Sequence, residues 1–403
     1  MKRFLKVSMI ITILFISVFS IYGIYNPNEE NTNQGEYNIL SGDAVQEESS
    51  IPIEYKAKIT ESISVYKSEE DGSKYQKVKV KVIQDSEYLN KEYEAKFILQ
   101  VLDSSEIKEL KVGTTVYVIL EDSESAVEKF IVKDVDRMPY LTIVLIIFIA
   151  TIILIGKKQG VKTVISLAIT FFAIFYMLVP LILDGHDAIL MSVLICIFIS
   201  VVTLTLVGGF NKKSLVSIIG TVSGVIISAI IAIIISNLAR ITGLSNEDAQ
   251  MLIYVSNGTS IDVYGLFFAS IIIGTVGATM DIAMSISSTM SELTKTSSKI
   301  STKDLIKSGL NVGKDSMGTM SNTLILAYVG ESLILIILFI LNNSNWVSIV
   351  NSDFIASEIL RGLCGTIGMI STIPITAYLY GMFHNFSENK KTNNQTNNQI
   401  NKQ

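Results

Sequence analysis

The sequence predicts an α-helical integral membrane protein that carries a small all-β extracytoplasmic domain ahead of its main set of spans. Three observations predict this class. Apolar runs of spanning length recur along a chain whose mean hydropathy is +0.48, and about 20 such residues cross a hydrocarbon core. Between the first run and the second, apolar and polar residues alternate with period two, as in half-buried strands. Charge is also divided, because residues 26–138 hold 24 acidic and 14 basic side chains while the remainder holds 13 and 18. The two parts therefore face different surroundings. With 49% hydrophobic and 17% charged residues among 403, the composition lies outside that of soluble domains. Cys196 and Cys364 both fall in apolar runs, so a disulfide framework is excluded and each reads as a small buried hydrophobe.

In chain order, Lys2, Arg3 and Lys6 precede an apolar run over 7–25. No small-x-small cleavage site follows it, which favours an uncleaved signal anchor (1–25) and about eight spans; cleavage would leave seven. Residues 26–50 are polar and acidic and read as a flexible linker. Over 51–138 the segments "YKAKITESISVY", "YQKVKVKVIQ", "YEAKFILQVL", "TVYVILED" and "EKFIVKDV" alternate as strands, with turn signals such as Asp71-Gly72 between them. Short strands at this spacing predict a small barrel or sandwich, OB- or SH3-like.

After Pro139, apolar spans are placed at 139–156, 161–183, 188–208, 214–239, 263–285, 318–341 and 359–381, within a membrane domain of 139–383. The Asn/Gln/Lys-rich residues 384–403 read as a disordered tail. Lys157, Lys158, Lys162, Lys212 and Lys213, together with Lys295, Lys299, Lys303, Lys307, Lys314, Lys390 and Lys391, occupy alternate loops. The intervening loops carry only Arg240 and Arg361. The positive-inside rule then predicts a multi-pass plasma-membrane protein with both termini cytoplasmic and the acidic β-domain outside.

Polar atoms inside the spans are the candidates for function. Gly220, Gly224, Ser228, Ala232 and Ser236 recur every four residues, which predicts a helix-packing seam. Gly274, Ala278, Asp281, Ser285, Ser288 and Glu292 share one helix face, small at one end and polar at the other. Asp262 and Asp281 are about 28 Å of helix apart, so the two interfaces would accommodate them. The apolar face continued by Met284, Ile286 and Met290 points instead to a protein- or water-facing Asp281. Glu331 stands mid-span in "SNTLILAYVGESLILIILFIL", where a bare carboxylate is costly. It reads as a proton or cation site, or as a neutral carboxyl bonded to a neighbouring helix. In "GTIGMISTIPITAYLYG", Pro374 frees a carbonyl near Ile370 among Thr366, Ser371, Thr372 and Thr376. Such carbonyls and hydroxyls coordinate ions in discontinuous transporter helices, although a plain kink fits equally well. Asp184, His186 and Asp187 read as a solvated turn before a metal site, and Ser245 as a helix cap. Residues 295–314 read as a cytoplasmic surface helix near anionic lipid heads. Gly309, Gly313 and Lys314 fall short of a phosphate-binding loop and follow no strand.

The stretch "GLFFASIIIGTVGATMDIAMSISSTMSEL" resembles the signature of YibE/F-like membrane proteins, in which a Gly-rich helix runs into Met-Asp-x-Ala-x-Ser-Ile and ends in Glu-Leu. The matching positions are Gly274, Gly277, Met280, Asp281, Ala283, Ser285, Ile286, Glu292 and Leu293. The resemblance implies a polytopic domain over about 139–383 and, as an expectation, a transport role.

Together these readings predict a permease or cation/proton-coupled transporter for a small solute or ion, with no cofactor and no enzymatic activity. Asp281, Ser285, Asn322, Glu331, Thr366, Ser371 and Thr372 are expected to line the pathway. Gly220, Gly224, Ser228, Gly274, Gly277 and Ala278 are expected to pack helices. The expected partners are the lipid bilayer, a cation or small solute, and a second copy or an extracytoplasmic protein; no nucleic-acid-binding patch is present. The rival expectation is a non-transporting scaffold or sensor acting through its β-domain.

Overall fold

The computed structural model describes residues 53–68, 72–84, 86–100, 108–121, 129–244, 247–255, 262–297, 300–342 and 345–400. The 1–25 anchor, the 26–50 linker and the Ser245 cap lie outside them. Two compact units divide at Thr151/Ile152.

In the first unit, strands β1 (Glu54–Lys67), β2 (Lys74–Val82), β3 (Glu92–Gln100), β4 (Thr115–Glu121) and β5 (Lys129–Val135) form a closed barrel in the order β1-β2-β3-β5-β4. Strand β1 closes it by pairing antiparallel with both β2 and β4. Its 14 residues allow this, and register shifts at Ile59/Glu61 and Ser62/Ser64 bend it from one partner to the other. The β3–β5 pair is parallel. Closure selects the barrel over the sandwich and removes the sheet edges, giving a five-stranded architecture of OB type. The alternation seen in sequence fills the interior with Ala57, Ile59, Val78, Val80, Val82, Leu99, Val116, Val118 and Phe130.

One buried polar residue breaks that alternation, and it is fully used. Gln76, 0% exposed, accepts from Leu110 N (2.7 Å) and donates to Leu110 O (2.9 Å) and Ser62 Oγ (2.9 Å). It thereby pins the 108–111 segment to the barrel. Buried Asp136 pairs with Lys56 at 2.8 Å and accepts from Met138 N, capping the start of the next helix.

That helix, α1 (Met138–Ala173), has no buried residue before Thr151 and carries a non-helical Lys157 (φ 48, ψ −124). A Cβ on Gly160 would lie 2.1 Å from the Ile152 carbonyl oxygen. Eight residues of straight helix span about 12 Å, so the chain bends sharply between the segments expected at 139–156 and 161–183. A single π-helical turn, Ile174–Leu178, precedes α2 (Val179–Leu183); Pro180 lacks the N–H that a regular turn needs, and the ladder widens there.

The second unit continues with α3 (Ala188–Gly208), α4 (Lys212–Ala239), α5 (Glu247–Val255), α6 (Val263–Thr296), α7 (Thr302–Leu341), α8 (Trp346–Asn351) and α9 (Asp353–Ile400). Asp187, Asn211, Asp262 and Ser301 cap α3, α4, α6 and α7 by accepting from the backbone N–H three residues on. Among the described residues, six helical stretches are long and apolar enough to cross a membrane, the bent 138–183 stretch counting as one.

Two readings of this unit are corrected. The 295–314 segment is not a separate surface helix: α7 starts at Thr302 and runs on to Leu341, with buried Leu305, Gly309 and Gly313 packed inward. A Cβ on Gly309 would lie 2.5 Å from Met290 Sδ, and one on Gly313 2.2 Å from Ile373 Cγ2. That glycine pair therefore serves close helix packing. Helix α9 passes through Pro374 without interruption and extends to Ile400, where composition predicted a disordered tail; 384–400 contains no Pro or Gly to stop it.

Candidate functional site

Helices α4, α6 and α9 meet along a seam of glycines and hydroxyls. A Cβ on Gly224 would lie 2.0 Å from Thr372 Oγ1 and 2.7 Å from Gly368 O; one on Gly368 would lie 2.6 Å from Gly224 O. The backbones of α4 and α9 therefore touch. Gly220 faces Thr376 in the same way, at 2.2 Å from its Oγ1. Ser217 bonds Ser287, and Ser228 lies 3.2 Å from Thr275 Oγ1. Most of these hydroxyls also return a bond to their own helix, as Thr275 does to Ile271 O and Thr372 to Gly368 O. The arrangement makes a solid wall, in which Thr376 Oγ1 is buried without a hydrogen-bond partner among the described residues. Thr366 is buried in it and donates to Gly362 O (2.7 Å).

The face of α6 that carries the signature carboxylate points the other way. Thr275, Thr279, Ile282, Ile286, Ser287 and Met290 are buried, whereas Gly274, Gly277, Asp281 and Ser285 are exposed and Ala278 is half-buried. Gly274 lets Tyr328 of α7 approach, since a Cβ there would meet its hydroxyl at 2.7 Å; Gly277 meets nothing within 4 Å. Asn322 and Glu331 are exposed on α7, and Ser371 is half-buried on α9. The structure thus separates the expected pathway residues. Thr366 and Thr372 are interior, while Asp281, Ser285, Asn322 and Glu331 lie on outward surfaces. A spacing of three and four tells which residues share a helix face; it does not tell which face meets a neighbour.

A charged pair that the sequence reading passed over is held inside. Glu358, 9% exposed, accepts from Arg361 Nη1 at 2.8 Å. The Arg361 guanidinium lies 5.7 Å from the Phe267 ring centre and 6.0 Å from that of Tyr328, within cation–π range of both. Arg361, expected in an outer loop, is a packed residue of α9. The available signal was the Glu-x-x-Arg spacing at the head of a span, which puts opposite charges on one face.

At the same end of the unit, an open cleft of about 660 Å³ is lined by Asn237, Arg240, Thr242, Asp262 and Tyr264 among others. Tyr264 donates to Asn237 (3.2 Å), and Thr242 binds Asp353 through its N and Oγ1. Among the described residues, no group of three or more His, Cys, Asp or Glu side chains could hold a metal ion. In the 184–187 turn, His186 Nδ1 lies 3.0 Å from Leu181 O and Asp187 caps α3.

No curated protein and no solved structure matches this chain. The profile of the YibE/F-like protein family matches residues 144–385, well over half of the sequence and all of the membrane-length helices from α3 onward. The chain belongs to the YibE/F-like protein family.

Proposed function

We propose that the helical domain is a permease or cation/proton-coupled transporter for a small solute or ion. It sits in the plasma membrane with both termini in the cytoplasm and the barrel outside, and it works without enzymatic chemistry. The observation that carries this reading is the Glu358–Arg361 pair enclosed among membrane-length apolar helices. Each charge in such a place costs several kcal/mol, and helices that only fill a bilayer omit them. The alternation of Lys-rich loops supports the orientation. The α4–α6–α9 seam supports a rigid wall, with Asp281, Ser285, Asn322 and Glu331 on the faces beside it.

Flux of protons, Na⁺ and K⁺ into proteoliposomes of the purified protein tests the reading. Flux above that of empty vesicles, lost on Glu331→Gln or Asp281→Asn in folded protein, supports it. Absence of gradient-driven flux for every cation removes the coupling role.

One observation favours a second reading, a scaffold or sensor acting through its β-domain. Tyr66 and Tyr75 stack with ring centres 5.8 Å apart on the outer barrel surface, beside exposed Ile98, a surface suited to a wall or protein ligand. Deleting 51–137 abolishes function under this reading and only alters it under transport.

A further inference from the structure

Helices α7 and α9 run antiparallel in a register that their close contacts define. Cβ atoms built on Gly381, Gly309, Gly313, Gly365 and Gly362 would meet Ile306, Ala377, Ile373, Leu324 and Tyr328 respectively, all within 3.3 Å. As residue numbers rise on α7 they fall on α9. The next step in this register, one turn past Tyr328, sets Ser332 opposite Glu358 and Ser357.

All three are almost fully enclosed: Ser332 is 3% exposed, Ser357 6% and Glu358 9%. One Glu358 oxygen is held by Arg361. The other, Oε2, has no protein partner among the described residues, and neither do Ser332 Oγ, Ser357 Oγ or Arg361 Nε. Enclosed polar atoms are almost always bonded, because leaving one unbonded forfeits its hydration with no return. Here four such atoms fall within one turn of two touching helices, and three of them are oxygens.

Charge defines what these oxygens accept. Arg361 of α9 holds the other Glu358 oxygen, and the Arg361 guanidinium lies over the Tyr328 ring of α7. Ala232 of α4 and Phe267 and Phe268 of α6 line this stretch of α9 with apolar side chains. One carboxylate already shared with a guanidinium cannot balance a divalent ion in apolar surroundings. Oxygen-only donors suit a hard cation or a proton.

We propose that Glu358 Oε2, with the Ser332 and Ser357 hydroxyls, forms a site for a single positive charge, a proton or a monovalent metal cation. The site rests on the transport reading and deepens it by naming the group that takes the coupling ion.

Binding is measured separately from flux, on the full-length protein in nanodiscs. Thermal unfolding is followed against NaCl, KCl and CaCl₂, with choline chloride holding ionic strength constant. Proton uptake is followed through the infrared carboxyl band between about pH 5 and 8. A saturable rise in Tm with Na⁺ or K⁺ identifies the metal arm; a carboxyl band that titrates without any cation response identifies the proton arm. In either case Glu358→Gln removes the signal. Because Glu358→Gln also strips Arg361 of its partner and can unfold the bundle, Ser332→Ala/Ser357→Ala is the second variant. It keeps the ion pair and weakens cation affinity, or displaces the carboxyl titration, by at least about tenfold. No saturable response of either kind, a response unchanged in the folded double variant, or a stronger response to Ca²⁺ than to any monovalent ion overturns the proposal. Binding without flux in proteoliposomes keeps the site and removes transport. Flux that survives in folded Glu358→Gln keeps transport and removes the site.

Discussion

The barrel and the helical unit solve the same packing problem with opposite materials. The barrel encloses Val, Ile, Leu and Phe and turns Lys and Glu outward, with ion pairs such as Lys77–Glu94 and Lys79–Glu61 across its strands. The helical unit exposes Leu, Ile and Phe and, beside buried apolar clusters, encloses Ser, Thr and Gly along α4, α6 and α9. In water, burying apolar area is the main source of cohesion. Between helices in lipid that drive is nearly absent, so close backbone approach and short hydrogen bonds take its place. A core residue therefore means something different in each unit.

Substitutions that treat both units alike should break this contrast, and their sizes should rank by mechanism. The largest expected loss is Phe130→Ala, which empties the middle of the barrel and costs about 3–5 kcal/mol. Loss of the barrel's amide protection in hydrogen exchange on the full-length protein measures it. Gly224→Val should follow, at about 3 kcal/mol, because its side chain must displace Thr372 and the Gly368 carbonyl. The yield of monodisperse protein after extraction reads this, and Gly277→Ala, which meets nothing within 4 Å, should leave the yield unchanged. Gln76→Leu should cost about 1–3 kcal/mol by orphaning the Leu110 backbone groups, with loss of protection confined to 108–111 and its neighbours.

A smaller effect depends on pH. The hydrogen bond to Asp136 raises the Lys56 pKa above its ordinary 10.5. A raised lysine contributes its full stabilisation below about pH 10.5 and loses it as pH climbs through the folded value. The barrel should therefore weaken at high alkalinity, by about 1 kcal/mol given that Lys56 is partly exposed. Lys56→Met should remove that dependence, visible in the barrel transition on alkaline titration. The smallest change expected is Ser217→Ala: interhelical bonds in membranes average about 0.6 kcal/mol, so it should shift Tm only slightly. A large loss there would mean the seam depends on its hydroxyls more than on its glycines.

Much of this architecture was legible in the residues. Val78, Val80 and Val82 alternating with Lys77, Lys79 and Lys81 announced a barrel wall, and Gly220, Gly224 and Ser228 announced a packed face. The break at Lys157 was legible because two lysines interrupt an apolar run. Other features were hidden for definite reasons. The Gly309/Gly313 pair lies among charges that suggest a surface, and only the fit of Met290 and Ile373 above it shows otherwise. Glu358 and Arg361 lie at the head of a span, where a charge is unremarkable until neighbouring helices close over it.

By itself the sequence determined the material of each part: which segments suit water and which suit lipid, where helices begin and bend, and which residues share a face. Those properties are local, set by transfer energies, capping and the periods of helix and strand. Only the tertiary structure decided which face turned inward. It set Asp281 and Ser285 outward and Thr275 and Thr279 inward on the same helix, and it laid Tyr328 of α7 against Arg361 of α9. Those pairings depend on how glycine-lined helices from distant parts of the chain fit together, and no local property of either helix encodes that fit.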